Sequence, residues 1–376
     1  MNCAAPVWFA VQEEVDRAAS RNIPRSGLDS FDNAFLLKHF HFTRPAIQFI
    51  VDCVRDSLAR VTRRSRALSV EDLVLAALSF YANGSLQRHM ANLVGISQSS
   101  VSRAVATVSK VLAEKVPMFV TFPSTTEDKD VMAQEFFKLC GITNILGIVG
   151  CMHMRIKAPL EDEYAFLNSK NYHSINCQMI CDSHGNLLHL ENHWPGGTPG
   201  SLIWEKSTIR QQFLTGEHGE FWLIGDSCYP LSKNLLTPVH FPVSPAEKWY
   251  NEAHSQAVDV IRQTFSALKA RFRCLDNLGG NQKYTPARAS DIISACCVLH
   301  NIAQKFSVSL PEITFLQENV FDNTEETFRQ HDEEMVIMRE KVIKALFSNS
   351  KHGIKKIRQY PQKVKKKNKI VKTDFI

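Results

Sequence analysis

Few acidic side chains stand where a strand or a helix would present them to a metal ion. Asp226 directly follows the apolar run 221–225, in the segment IGDSCYP. A carboxylate at such a point is a hard oxygen donor of the kind that Mg²⁺ prefers. Asp182 and Asp259 are further candidates, but a turn residue and a helix surface explain them. Because Mg²⁺ needs several oxygen ligands, a single carboxylate predicts no complete magnesium site, and no cofactor is expected.

A second group of candidate ligands lies in a stretch rich in cysteine and histidine. Its members are Cys177, Cys181, His184, His189 and His193. Their spacing contains no CxxC pair of the kind found in zinc sites, so it predicts core and turn residues rather than a zinc site. His153 and Ser227 have no neighbours that would complete a Ser/His/Asp or Cys/His arrangement. Nucleophilic catalysis is therefore not expected.

Residues 87–108 have the spacing of a helix-turn-helix motif. Ala91 lets two helices approach, Gly95 permits the tight turn, and Val101 holds the second helix down. In such motifs the N-terminal end of the second helix reaches base edges, and its first amides face phosphate. The side chains expected to contact DNA are Ser97, Gln98, Ser99, Ser102 and Arg103. An ordinary helical hairpin is the alternative, because only Arg103 and Lys110 add clear positive charge to that helix.

Five landmark segments lie between residues 145 and 305. They are GIVGCMH at 147–153, HWPGG at 193–197, IGDSCYP at 224–230, VIRQTF at 260–265 and CCVLHN at 296–301. Together they resemble the PIF/Harbinger transposases and the Harbinger transposase-derived nucleases of vertebrates, over about residues 35–305. The resemblance implies an RNase H-like nuclease domain, Mg²⁺ or another divalent metal as its cofactor, and a Myb- or SANT-like partner protein.

The resemblance also implies where the catalytic acids would stand. In that family an aspartate lies in GxVDCxH, a second follows WPGS, and a glutamate lies in VIExTF. This chain has Gly150, Gly200 and Arg262 at those positions. Two Mg²⁺ ions about 4 Å apart need several carboxylates, and the cation of Arg262 would repel them. The resemblance thus implies a domesticated, catalytically inactive protein that binds DNA or chromatin.

Three alternatives stay open at this point. One is a metal-dependent nuclease whose site has been rebuilt around Asp226, and another is an interaction module that does not contact DNA. The third concerns the arginine at position 262. Its guanidinium could take the place of the metal and bind phosphate, or the substitution could reflect drift without a function.

The periodicity of the chain predicts an α/β protein in which an all-α helix-turn-helix domain precedes an RNase H-like nuclease domain. Strands are predicted at 145–156, 174–180, 187–191 and 221–225, and long helices at 252–272 and 287–306. The predicted segments are a flexible lead (1–30), a helical domain (31–116), a linker (117–130), the RNase H-like domain (131–310), an acidic segment with an amphipathic helix (311–350) and a basic tail (351–376). Ser69 and Asp72 predict a capping box, and Asp182–Gly185 predicts a hairpin turn.

Composition and charge place the chain among nuclear or cytosolic proteins. Of 376 residues 44% are hydrophobic and 22% charged, and no apolar run reaches the roughly 20 residues of a membrane span. Ten scattered cysteines predict reduced thiols. The net charge of +6 comes from the tail, where residues 351–376 hold ten Lys or Arg and one acid. A nuclear-localisation signal is predicted at Lys355, Lys356, Arg358, Lys363, Lys365, Lys366 and Lys367. A tail that only keeps the protein soluble is the alternative to the localisation signal. An additional cytoplasmic location and self-association also stay open.

Overall fold

The computed structural model describes residues 27–59, 68–84, 96–275, 284–311 and 333–357. Four predictions fall wholly or partly outside these ranges: the lead, the first helix of the helix-turn-helix motif, the acidic segment at 312–332, and the basic tail beyond residue 357. Among the helices of the described ranges, none combines the length and the apolar character that a membrane crossing requires.

The N-terminal part is helical, as the sequence predicts. A short 3-10 turn is followed by helices α1 (Asn33–Phe40), α2 (Arg44–Leu58), α3 (Val70–Asn83), α4 (Gln98–Ala113) and α5 (Val116–Phe119). Helix α3 begins with the predicted capping box, in which the Ser69 hydroxyl accepts from the Asp72 amide and the Asp72 carboxylate accepts from the Ser69 amide. These two bonds satisfy amides that a helix start otherwise leaves without partners.

The segment 117–130 differs from the linker that its two prolines predict. Helix α5 contains Pro117, and helix α6 (Thr126–Cys140) begins inside the segment. Proline is tolerated in the first turn of a helix because its missing N–H is not needed there. The Thr125 hydroxyl accepts from the Asp128 amide at 3.1 Å and so caps α6. The connection between the two parts of the chain is therefore shorter than predicted.

A five-stranded sheet forms the centre of the α/β part. Its strands are β1 (Ile145–Arg155), β2 (Ser174–Cys181), β3 (Leu187–Pro195), β4 (Trp222–Gly225) and β5 (Leu235–Leu236), in the order β3-β2-β1-β4-β5. Strands β1, β2 and β3 are antiparallel neighbours, whereas β4 runs parallel to both β1 and β5. The predicted strands are confirmed, and so is the hairpin turn between β2 and β3, where Gly185 has a φ of 84°.

Helices cover both faces of this sheet. The helices that follow β1 in the chain are α7 (Glu163–Phe166), α8 (Gly200–Lys206), α9 (Thr208–Leu214), α10 (Pro245–Arg271), α11 (Pro286–Lys305) and α12 (Glu333–Ile357). Ile148 and Met152 of β1 belong to one hydrophobic core with Phe265 of α10. Val149 belongs to a second core with Trp204 of α8. Alternate side chains of β1 thus face opposite layers, as in any strand, and the predicted α/β fold is confirmed.

The N-terminal helices and the α/β part are joined by buried hydrogen bonds. Arg271, at the end of α10, donates to the His41 carbonyl at 2.9 Å, and His41 Nδ1 donates back to the Arg271 carbonyl at 2.7 Å. Arg288 of α11 donates to the carbonyl oxygen of Ser102 in α4 at 3.0 Å and to its hydroxyl at 3.3 Å. The two predicted domains therefore contact each other through named side chains.

The C-terminal helix α12 packs against α10, as its amphipathic pattern predicts. Leu346 is buried, and Met338 and Val342 pack on the same core. Arg339 on this face donates to the carbonyl oxygens of Thr237 and Pro238, at 3.3 and 2.9 Å. Over the residues that the structure describes, the apolar face of this helix is therefore a packing surface.

Candidate functional site

Position 150 lies in the middle of the central strand and faces helix α10. A side chain at Gly150 would point at that helix, because a Cβ built there would lie 3.2 Å from the ring of Phe265 and 3.3 Å from Ile261 Cδ1. Val149 pairs with Gly225 of the parallel strand β4. The residue after Gly225, Asp226, therefore lies beside position 150.

Asp226 is a half-buried carboxylate directly after β4. Its Oδ1 accepts from the Cys228 amide at 3.0 Å. Burial raises the pKa of Asp226 above its usual range, while the bond from Cys228 and the positive charge of Arg262 lower it to a smaller extent. The raised pKa is the electrostatic signature of a carboxyl group that has lost water without gaining an equivalent partner.

Arg262 stands on α10, one residue after Ile261, and is close enough to influence the charge of Asp226. Its Nη1 donates to Asp259 Oδ1 at 2.9 Å, one turn earlier on the same helix. The side chain is 40% exposed. A guanidinium carries five N–H donors and can therefore bind more than one acceptor.

Position 200 lies on the side of the sheet that faces the second core. It is the first residue of α8, and a Cβ built there would lie 3.2 Å from Cys151 Sγ and 4.0 Å from the ring of Tyr229. Cys151 and Tyr229 pack in the second core, on the sheet face opposite to α10. The geometry thus brings together Gly150, Asp226 and Arg262, whereas a side chain at position 200 would point at Cys151 and Tyr229.

The residues present do not fit a two-metal centre. Position 150 offers no side chain and position 262 offers a cation, so Asp226 is the one carboxylate of the three. In the described part of the chain, no three His, Cys, Asp or Glu side chains are grouped in a way that could hold a metal ion. Mg²⁺ needs several oxygen ligands, and a nearby guanidinium repels it by several kcal/mol.

The cysteine and histidine group of β2 and β3 is likewise dispersed. Cys177 and Cys181 are fully buried in the core beneath α10, and burial raises the pKa of both thiols. His184 instead contacts Glu135, at 3.4 Å, and His189 contacts Thr208 at 3.2 Å. These side chains are core, turn and surface residues, as the spacing predicts.

The sheet face under α8 carries a row of polar residues that the sequence did not reveal. Cys151, Gln178 and Glu191 are direct neighbours on β1, β2 and β3. Glu191 Oε1 accepts from the Thr208 amide at 2.9 Å and so fixes the start of α9. Gln178 is completely buried, and neither of its amide atoms has a hydrogen-bond partner among the described residues.

The second helix of the predicted helix-turn-helix is α4. Gln98, Ser99 and Arg103 are exposed on it, as expected of side chains that contact DNA. Ser97 acts as the N-cap, since its hydroxyl accepts from the Ser100 amide at 3.3 Å. Ser102, in contrast, faces α11 and is held by Arg288. The exposed set is therefore smaller than predicted, because Ser102 lies on the packing side of the helix.

Two buried histidines each bind a backbone carbonyl that is distant in the chain, and the sequence did not reveal either contact. His254 of α10 donates through Nε2 to the Gly225 carbonyl at 2.9 Å, directly before Asp226. His300, in the landmark CCVLHN, donates to the Gly185 carbonyl at 2.9 Å. Burial lowers the pKa of each ring to about 4. Because their partners lie 29 and 115 residues away along the chain, only the fold reveals this role.

Comparison with known proteins gives one consistent family. Residues 149–301 match the family described as DDE superfamily endonuclease. The chain is 44% identical over 283 residues to "Putative nuclease HARBI1" of Bos taurus and 42% identical to the protein of that name in Homo sapiens, with 75% of this chain and 81% of each relative covered. It is 25% identical to "Protein ALP1-like" of Arabidopsis thaliana, with 70% and 69% covered. No solved structure matches significantly. The chain therefore belongs to the Harbinger transposase-derived proteins of the DDE superfamily.

Proposed function

We propose that this protein has lost metal-dependent cleavage and acts in the nucleus by binding DNA. The observation that carries the proposal is the cluster itself, in which Asp226 faces a glycine at position 150 and an arginine at position 262. A site of this composition cannot neutralise the charge of two Mg²⁺ ions, whereas its guanidinium matches a phosphate.

Arg262 is the proposed phosphate ligand of this degenerate site. It is partly exposed, and its ion pair with Asp259 holds it within electrostatic reach of Asp226. The planar, permanently charged guanidinium matches a DNA phosphate in charge and in bidentate geometry. The exposed Gln98, Ser99 and Arg103 of α4 provide a second contact region in this proposal. The basic tail would add sequence-independent attraction and nuclear import, and a Myb-like protein is the proposed partner.

A nicking assay on supercoiled plasmid with Mg²⁺ or Mn²⁺ tests the loss of chemistry. The natural protein should not nick, whereas the variant carrying Gly150→Asp and Arg262→Glu should, because Asp226 completes the three acids. The same variant with Gly200→Asp added carries every acid that the resemblance implies, and it should nick as well. Since a Cβ at position 150 meets Phe265 at 3.2 Å, circular dichroism must first show that the variant is folded.

Asp226→Ala separates the proposal from its competitor, a nuclease rebuilt around Asp226. In the double variant, Asp226→Ala should abolish the restored nicking. If the natural protein nicks DNA and loses that activity on Asp226→Ala, the proposed loss of cleavage is wrong.

Binding to a DNA duplex, followed by fluorescence anisotropy, tests the proposed phosphate contact. Arg262→Gln should weaken binding and reduce the salt dependence by the equivalent of about one phosphate contact. Arg55→Gln is the matched control, because Arg55 forms the same kind of exposed pair with Asp52, also three residues apart on one helix. Equal affinities for the natural protein, Arg262→Gln and Arg55→Gln would contradict the contact.

A further inference from the structure

Two cysteine thiols lie next to each other outside the candidate site. The Sγ atoms of Cys274 and Cys296 are 3.8 Å apart, and neither residue is in a disulfide. Cys274 belongs to the 3-10 turn Arg273–Leu275, and Cys296 lies in the middle of α11. We propose that this pair is an oxidation site, at which hydrogen peroxide converts the two thiols into a reversible disulfide.

The geometry requires only a small movement. A disulfide has a sulfur–sulfur distance of about 2.05 Å, so the two atoms must approach by roughly 1.8 Å. Cys296 is fully buried inside a long helix, and it cannot move without disturbing the core. Cys274 lies on a three-residue turn and is partly exposed. The turn therefore supplies the movement.

Access also differs between the two thiols. Cys274 lines a cavity of about 40 Å³ together with Phe80, Arg155 and Tyr284, and Cys296 does not line it. A space of this size admits a molecule as small as water or hydrogen peroxide. Burial raises the pKa of the Cys296 thiol, which keeps it protonated and slow to react. The oxidant accordingly meets Cys274 first.

The reaction proceeds in two balanced steps. The Cys274 sulfur attacks one oxygen of hydrogen peroxide, the O–O bond breaks, and a sulfenic acid and one water molecule form. The Cys296 sulfur then attacks the Cys274 sulfur, the S–O bond breaks, and the hydroxide leaves with the thiol proton as a second water molecule. The pair loses two electrons, which reduce one molecule of peroxide, and a dithiol reductant reverses the change.

The disulfide would join two places that position the N-terminal helices. The carbonyl oxygen of Arg273 lies 2.9 Å from where a Cβ would stand at Gly84, so the turn packs tightly on the end of α3. Helix α11 holds α4 through Arg288, which stacks on Tyr284 at 4.4 Å and donates to Ser102. Linking the turn to α11 should therefore stiffen the contact between the N-terminal helices and the α/β part.

Peroxide titration of the reduced full-length chain tests the proposal. After each addition, free thiols are alkylated and the peptides are mapped by mass spectrometry without reduction. The expected product is a peptide pair linked through Cys274 and Cys296, lost on treatment with dithiothreitol and accompanied by a rise of a few degrees in Tm. Dimedone, which labels sulfenic acids, should mark Cys274 in Cys296→Ala and not in the natural protein.

Cys297→Ala is the matched control. Cys297 is the adjacent residue of α11 and is equally buried, so its removal should leave the crosslink unchanged, whereas Cys296→Ala should abolish it. The proposal is overturned if Cys274 and Cys296 both remain alkylatable at every peroxide concentration that leaves the circular dichroism spectrum intact. It is also overturned if the crosslink forms only in denaturant.

Discussion

Mild acid should destabilise this protein through its two buried histidines. In the folded chain, burial lowers the pKa of His254 and of His300 to about 4, while an unfolded histidine titrates near 6.5. Between these values the unfolded chain binds protons that the folded chain does not bind. The free energy of unfolding therefore falls as the pH drops below about 6.5, and this loss levels off below about 4.

The magnitude follows from the size of the shift. A pH of about 5 lies roughly 1.5 units below the pKa of an unfolded histidine. Each of these units lowers the free energy of unfolding by about 1.36 kcal/mol, so the loss is about 2 kcal/mol per histidine. The two histidines together would then remove about 4 kcal/mol. This is a large part of the roughly 5–15 kcal/mol that stabilises a typical domain.

Urea unfolding at about pH 7 and about pH 5, followed by circular dichroism, measures this loss. His300→Gln should reduce the pH-dependent difference by about 2 kcal/mol, because glutamine keeps a donor for the Gly185 carbonyl but does not titrate. His184→Gln is the control, since His184 lies on the same hairpin turn with its side chain 66% exposed, and it should behave as the natural protein does. An unchanged pH dependence in His300→Gln would refute the assignment.

Three further changes test packing, helix capping and turn geometry elsewhere in the fold. Gln178→Met should raise the free energy of unfolding by about 1–3 kcal/mol, since it removes an amide that is buried without a partner among the described residues; a loss of stability in urea unfolding would contradict this. Ser69→Ala should cost about 1 kcal/mol in the same assay by removing a helix cap. Gly185→Ala should lower Tm clearly more than Gly216→Ala. Both glycines have a positive φ near 84°, but only at Gly185 would the new Cβ meet an atom, Thr264 Oγ1 at 2.7 Å. Equal shifts in Tm would show that the strain of a positive φ, and not the contact with Thr264, causes the loss of stability.

Local sequence determined much of the fold. Ser69 followed by Asp72 predicts the start of α3, and the predicted positions of the strands and of the β2–β3 turn agree with the structure. Capping, periodicity and turn formation depend on residues a few positions apart, which is why such patterns can be recognised in one chain. The prolines of 117–130 led to the prediction of a linker, which the structure does not show over most of this segment, because proline also fits the first turn of a helix.

The residue types at positions 150 and 262, where the resemblance implies acids, could be read from the sequence, because residue types and motif spacing are local properties. The sequence did not show which residues lie beside position 150. Strand β4 follows β1 by more than 60 residues and pairs beside it in parallel, and this pairing places Asp226 next to Gly150. The alternation of β1 then directs position 150 toward α10 and leaves Gly200 on the other face. Likewise, the packing of α4 on α11 turns Ser102 away from solvent. Tertiary structure decided these points because strand order and helix packing join segments that are distant in the chain.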